Sequence, residues 1–227
     1  MDSRLVNRTG EFPDAQKLLL WSIRLDDQLS DQAARILYAE QGVNYSGILA
    51  TVLRKGLAPL LYQKIKILDQ DRIDPKLWKA LRTAYMENVA RNMRMVNDFE
   101  RICGELDRQD LSYIAYKGPV AGVQAYNDIA LRQFSDLDLM VKHQDFDRIL
   151  QSLKNMEFDF VFPPTKKVIE YVRKSWRDLG MKKGYLNLDI HQQIAKGPSF
   201  FRPYDETWEA CIKVKLNREW VNTFLPE

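Results

Sequence analysis

Long apolar runs are missing from this chain of 227 residues. No stretch approaches the roughly 20 consecutive apolar residues that a membrane-spanning helix needs. Cysteine is scarce. Cys103 and Cys211 stand alone, with no metal-ligand spacing between them, and read as free thiols in a reducing compartment. A strong charge bias is absent too: 34 Lys and Arg against 31 Asp and Glu leave a net charge of +3, too mild to imply nucleic-acid binding by itself. Nucleic acid stays open as a partner without being indicated. Met1 to Asp14 carries charges and no apolar segment, so no signal-peptide pattern is present and a cytoplasmic protein is expected. Internal repeats and low-complexity segments are also lacking. What is there is globular: 45% hydrophobic residues can build a sizeable core, and 29% charged residues argue against disorder. The length fits one large domain or two small ones.

Residues 1–108 read as a helical region and residues 109–227 as a mixed core. Ser30-Asp-Gln-Ala-Ala-Arg-Ile-Leu37 offers an N-cap followed by helix formers. Tyr45 to Lys66 carries Ile48, Leu49, Val52, Leu53, Leu57, Leu60 and Leu61 at helical spacing, with Gly56 and Pro59 breaking it in two. Asp74 caps, and Pro75 starts, a helix that runs to Arg108. Its apolar stripe of Leu77, Leu81, Tyr85, Val89, Val96, Phe99, Cys103 and Leu106 is core. After Gln109 the texture changes. A short buried strand, Leu111–Tyr116, leads through Lys117-Gly118-Pro119 into a helix ending at Tyr126. Next come a strand around Asp136 and Asp138, a helix from Gln144 to Met156, a strand Phe158–Phe162 and a helix Val168–Arg177. Leu179–Lys182 and Tyr185–Gln192 form a hairpin around Lys183-Gly184. The fold class is α+β (or α/β).

Asp136 and Asp138 lie inside the apolar run Phe134-Ser-Asp-Leu-Asp-Leu-Met-Val141. Alternate residues of a strand share a face. Both carboxylates then point one way, and Leu137 and Leu139 the other. Two carboxylates this close repel each other and carry a desolvation cost. The usual compensation is a divalent cation, since hard oxygen ligands suit Mg²⁺ or Mn²⁺. Asp189 in Tyr185-Leu-Asn-Leu-Asp-Ile-His-Gln192 is a third acid between apolar neighbours. On an adjacent strand it completes a two-metal site. Asp136 and Asp138 bind both cations there, while Asp189 binds one and orients or deprotonates an attacking hydroxyl. Such cations neutralise a triphosphate, and the protein mainly positions the reactants.

The residues Ala115-Tyr-Lys-Gly-Pro119, Tyr126 and Leu131-Arg-Gln-Phe-Ser-Asp-Leu-Asp-Leu-Met-Val141 resemble the nucleotidyltransferase domains of the DNA polymerase β superfamily. More narrowly, they resemble the bacterial uncharacterised nucleotidyltransferase family. That family shows a lysine-glycine turn, a tyrosine, and an arginine just ahead of an Asp-hydrophobic-Asp strand. It also has a later Asp-hydrophobic-His strand, matched by Asp189-Ile190-His191. The helical first half, with Leu57-Ala-Pro-Leu-Leu61 and Ala90-Arg-Asn92, resembles the family's lead-in. The resemblance implies a mixed sheet flanked by helices, Mg²⁺, and transfer of a nucleoside monophosphate from an NTP, by preference ATP. By position it makes Asp136 and Asp138 metal ligands, Asp189 the third carboxylate, and Gly118 the turn that approaches the triphosphate. The wider superfamily has Gly-Ser or Gly-Gly at that turn. Lys117-Gly118-Pro119 lacks the serine contact, offers Lys117 as a point charge instead, and loses one N–H at Pro119. Related chains continue as a further helical region where this one stops at Phe224-Leu-Pro-Glu227, which implies a core truncated at its C-terminus.

Several residues carry two readings. Lys117, beside Gly118 and ahead of a helix start, binds phosphate or simply reaches water. Arg132 binds the triphosphate, or pairs with a carboxylate and holds the strand. His191 shares a face with Asp189. It orients that carboxylate from behind the metal ligands, contacts substrate, or is a satisfied structural histidine. His143, in the polar turn Lys142–Asp145, reads as surface. Lys166, Lys167, Arg173, Lys174, Arg177, Lys182 and Lys183 either attract NTP or a polyanionic acceptor, or form a solvated face. The sequence thus predicts a Mg²⁺-dependent nucleotidyltransferase in which a hydroxyl or phosphate acceptor attacks the NTP α-phosphate and pyrophosphate leaves. A metal-dependent glycosyltransferase using a nucleotide sugar explains Asp136 and Asp138, but leaves Asp189 and the Lys117-Gly118 turn without a role. A non-catalytic nucleotide-binding module of the same fold accommodates the altered turn. No motif specifies the acceptor, the base or the oligomeric state.

Overall fold

The computed structural model describes residues 17–18, 21–23, 36–38, 43–162, 164–175, 178–193 and 204–225. They divide into two compact units, Met1–Arg91 with Ala130–Gln133, and Asn92–Ile129 with Phe134–Glu227.

The first unit is helical among its described residues. Asn44 caps α1 (Tyr45–Arg54), its Oδ1 accepting from the Gly47 N–H at 2.9 Å. Gly56 then takes a φ of +67°, which glycine adopts at little cost, and Pro59 sits in the first turn of α2 (Ala58–Ile65). The break expected at these two residues falls there. Asp74 Oδ1 accepts from the Leu77 N–H at 2.8 Å, and α3 runs over Pro75–Arg108 with the bounds the sequence predicts. Ile48, Val52, Leu61, Ile65, Leu77 and Leu81 are buried together with Leu18, Trp21 and Leu37. Buried Asn88 donates to the Ala130 carbonyl at 2.7 Å and the Arg132 carbonyl at 3.4 Å, which ties the segment 130–133 to this unit. The cap expected at Ser30 lies outside the described residues, while 36–38 are helical. From Asn92 onward, α3 belongs to the second unit.

The second unit is built on a five-stranded mixed sheet, as the α+β reading expects. Its strands are β1 (Tyr113–Tyr116), β2 (Leu137–Val141), β3 (Asp159–Phe160), β4 (Leu179–Lys183) and β5 (Leu186–His191), in the order β1-β2-β5-β4-β3. β2 and β5 run parallel, and the other pairs are antiparallel. Helices α4 (Gly118–Tyr126), α5 (Phe146–Asn155) and α6 (Lys166–Ser175) intervene. The two-residue period of a strand sorts its side chains. Ala115, Leu137, Leu139, Leu188, Ile190 and Met181 join Phe99, Ile102 and Leu106 of α3 and Phe146, Ile149 and Leu153 of α5 in one core. Ile114, Tyr116 and Met140 form a separate cluster packed against Trp208, Cys211 and Phe224. The strand expected over Phe158–Phe162 shortens to Asp159–Phe160 at the sheet edge, and Phe162 is exposed. Among the described residues no helix is long and apolar enough to cross a membrane.

Beyond Gln192 the sequence reading assigned no element. The structure has α7 (Tyr204–Glu209) and a hairpin of β6 (Cys211–Lys215) with β7 (Trp220–Phe224). Polar contacts from α3 and α4 hold the hairpin. Gln124 Nε2 donates to the Phe224 carbonyl at 2.8 Å. Buried Glu100 on α3 accepts the consecutive N–H groups of Asn217, Arg218 and Glu219 on one oxygen, at 2.8, 2.8 and 3.0 Å. Successive N–H groups of a turn make such a cradle for an anion. Glu100→Ala strands those donors. It is expected to lower stability by about 2–4 kcal/mol, with Glu100→Gln losing less because an amide oxygen still accepts. Urea unfolding of both variants checks this, and a wild-type midpoint for Glu100→Ala would remove Glu100 from the account.

Candidate functional site

Strand register builds the site. Asp138 on β2 stands opposite Tyr116 on β1 and Asp189 on β5, and Asp189 stands opposite Gly180 on β4. Residues paired in a ladder share a face, so Tyr116, Asp138 and Asp189 form a row. His191 lies two residues beyond Asp189 and joins that face. Asp138 and His191 are buried, at 2% and 7% exposure, and Asp189 is half-buried. One ligand atom from each of Asp138, Asp189 and His191 lies within 4.8 Å of the others. Gly180 faces this row: a Cβ there would be in ordinary contact with Asp189 Oδ1 at 3.4 Å and slightly tight against Val161 Cγ2 at 3.3 Å.

Asp136 is not among those three. The sequence reading put both aspartates of the pair on one strand, but β2 starts at Leu137, and Asp136 is the half-buried residue ahead of it. The reason lies in the partner strand. The β1 ladder ends with Tyr116 opposite Asp138, because the chain turns at Lys117 into α4. The Asp136 carbonyl instead lies against the turn, where a Cβ on Gly118 would approach it to 3.2 Å. The Asp136 charge still acts on Asp189.

Asp138 Oδ1 accepts two hydrogen bonds, from Lys117 Nζ at 2.8 Å and from His191 Nε2 at 2.9 Å. The other ring nitrogen, Nδ1, lies 2.8 Å from Asp178 Oδ1. Tyr116 meets the His191 ring edge-on at 5.4 Å, and Lys117 Nζ lies 4.9 Å over the Tyr116 ring. Burial opposes ionisation of Asp138, but the hydrogen bonds from His191 and Lys117 outweigh it and hold the carboxyl below its ordinary pKa. Asp189 moves the other way. Burial raises it, His191 offsets part of that, and the charges of Asp138, Asp136 and Asp178 add to it. For His191, burial disfavours the imidazolium, yet its hydrogen bonds to Asp138 and Asp178 prevail and raise its pKa. Burial and the three aspartates Asp138, Asp178 and Asp189 push the Tyr116 phenol upward, so it stays protonated.

The turn ahead of α4 is strained. Lys117 holds φ +53° and ψ −147°, a region close to one that is essentially reserved for glycine, and Gly118 follows at φ +34°. Pro119 occupies the first turn of α4. The strain places an ammonium, more than half exposed, beside a buried carboxylate.

Arg132 belongs to the first unit, where its carbonyl accepts from Asn88. His143 is half-buried in a 3₁₀ turn, His143–Asp145. Of the basic run, Lys182 and Lys183 are exposed on β4, and Lys183 pairs with Glu157 at 3.0 Å. The side chains of Lys166, Arg173, Lys174 and Arg177 lie outside the described set. Sequence reasoning gave no role to Tyr116, Asp178 or Gly180. Counting back from the Lys183-Gly184 turn pairs Leu179 with Ile190 and brings Asp178 level with His191, a signal that was available.

Two carboxylates and an imidazole this close suit a divalent cation. The donor set therefore fits Mg²⁺ or a transition-metal dication. A family model described as an uncharacterised nucleotidyltransferase matches residues 41–227. No curated protein and no solved structure matches the chain.

Two outcomes test this geometry. Lys117→Gly and Lys117→Ala both remove the ammonium, so their difference isolates the backbone. The glycine variant is expected to be the more stable by about 1 kcal/mol or more in urea unfolding, and equal stability would discount the strain. The second concerns pH. A histidine whose folded pKa is raised contributes stability that is fully present below its unfolded value of about 6.5 and is lost as pH rises through the folded value. In EDTA, the melting temperature of wild type should exceed that of His191→Gln most near pH 5–6 and least above the folded pKa. A gap that widens with rising pH contradicts the assignment.

Proposed function

The chain belongs to the uncharacterised nucleotidyltransferase family, and from that premise we propose that it transfers a nucleoside monophosphate from an NTP, by preference ATP, to a hydroxyl or phosphate acceptor with release of pyrophosphate. The observation that carries this reading is the facing pair of Asp138 and Asp189 on adjacent parallel strands, beside the Lys117-Gly118 turn. A strand pair with an apolar core on its other face has no structural use for two facing carboxylates. The chemistry is assigned to residues 109–227, with 1–108 as the helical lead-in. Two free cysteines fit a cytoplasmic location.

Asp136, Asp138 and Asp189 would hold Mg²⁺ or Mn²⁺, which supplies charge neutralisation at the triphosphate during in-line displacement. Asp189, half-buried and level with Asp138 on the adjacent strand, would orient or deprotonate an attacking hydroxyl. The Lys117 ammonium rests on Asp138 Oδ1. With a cation held at that oxygen, the Lys117 ammonium would serve the phosphates as a point charge. Gly118 lets a phosphate approach the backbone where a side chain would obstruct it, and the start of α4 favours an anion. Arg132 enters this reading through the family pattern alone.

The non-catalytic reading has one observation on its side: Lys117 and His191 already meet the charge of Asp138 without a cation. Metal-dependent pyrophosphate release with any acceptor counts against it. A glycosyltransferase gains no comparable support. Calorimetric titration of ATP with Mg²⁺ tests the leading assignment. The double variant Asp136→Ala/Asp138→Ala is expected to lose at least about tenfold in affinity, or ~1.4 kcal/mol. Equal Mg²⁺-dependent binding in both proteins would sink it.

A further inference from the structure

We propose that His191 is itself a ligand of the cation, so that the centre favours transition-metal dications over Mg²⁺. The inference rests on the metal-centre reading above and goes beyond it by naming a nitrogen donor and the class of ion that donor selects.

Four observations carry it. A ring nitrogen of His191 belongs to the same 4.8 Å set of ligand atoms as the Asp138 and Asp189 oxygens. Its ring is oriented from behind by Asp178, whose Oδ1 lies 2.8 Å from Nδ1. Ligating histidines almost always donate their second N–H in this way, to a carboxylate or carbonyl that fixes the tautomer. The ring plane is further set by the edge-on contact with buried Tyr116. Finally, Nε2 and Asp138 Oδ1 lie 2.9 Å apart. Neighbouring ligand atoms of an octahedron with bonds of about 2.1 Å lie about 3 Å apart. The two atoms are already spaced for one ion.

The alternative job for His191 is to donate a proton to Asp138 and merely hold that carboxylate. Lys117 Nζ already donates to the same oxygen, at 2.8 Å. A second donor to that oxygen, buried and carrying its own carboxylate partner, is more than orientation of Asp138 requires. A nitrogen donor changes ion choice. Mg²⁺ is held by oxygen, whereas imidazole suits the later first-row dications, and affinity for a mixed nitrogen–oxygen set rises from Mn²⁺ toward Ni²⁺.

Mn²⁺ alone is the probe, because its pulsed-EPR spectrum shows coupling to a directly bound imidazole nitrogen. Wild type is expected to bind Mn²⁺ with that coupling, and His191→Gln to lose it. By calorimetry, His191→Gln should weaken Mn²⁺ at least tenfold and Mg²⁺ less than about threefold, while Asp178→Asn, which spares the ring, weakens Mn²⁺ by roughly 10–100-fold. The chain has two histidines. Should His191→Gln fail to fold, coupling that persists in His143→Gln identifies His191 by elimination. Mn²⁺ bound to wild type without nitrogen coupling overturns the ligand assignment and leaves the metal centre standing. Failure of wild type to bind Mn²⁺ at all overturns both.

Discussion

A buried carboxylate oxygen, Asp138 Oδ1, is the point on which the site turns. It lies on a strand whose other face is in the main core, yet its charge is met by two hydrogen-bonding partners, the Lys117 ammonium and the His191 ring. Removing an ion from water costs several kcal/mol even after relaxation. That cost is recovered here only because both partners arrive with good geometry. Each partner in turn depends on another element. Lys117 reaches Asp138 from a turn that holds a backbone conformation unfavourable to lysine, and His191 is aimed by Asp178 ahead of β4.

This arrangement explains why the fold tolerates local cost. Non-glycine residues in glycine-favoured backbone regions persist where the surroundings over-determine them, and such residues cluster at functional sites. The Lys117-Gly118 turn is wedged between the end of β1 and the carbonyl of Asp136. The parallel β2–β5 pair brings Asp138 and Asp189 level, with Gly180 opposite Asp189 on the next strand. On the flank, Glu100 uses the same physics in a purely structural setting: one buried carboxylate oxygen receives three backbone donors and pins the β6–β7 turn.

Much of the fold was legible because it follows from local rules. Asp74 and Pro75 announce the start of α3, Gly56 and Pro59 divide α1 from α2, and Gly184 marks the β4–β5 turn. The less legible parts are those where a partner decides. Phe158–Phe162 has the composition of a strand but lies at a sheet edge, so only Asp159 and Phe160 form it. The β6–β7 hairpin has short strands, although Ile212-Lys-Val-Lys-Leu216 alternates, and its place is fixed by Glu100 and Gln124, more than 80 residues away in sequence. Asp136 was read onto β2 by spacing, yet β1 ends too soon to pair with it.

Residue order alone brings together acids flanked by apolar residues, a lysine-glycine turn and an Asp-Ile-His strand, a combination that belongs to a nucleotidyltransferase family. Those are statements about residue type and short spacing, which the chain carries locally. Which groups converge is a matter of the folded sheet. Strand order placed Asp138 beside Asp189, register set Asp178 against His191, and the turn at Lys117 delivered an ammonium to the same oxygen that His191 reaches. Convergence depends on pairing between distant segments. Pairing is chosen by the total burial and hydrogen bonding of the sheet, not by any one segment's preferences.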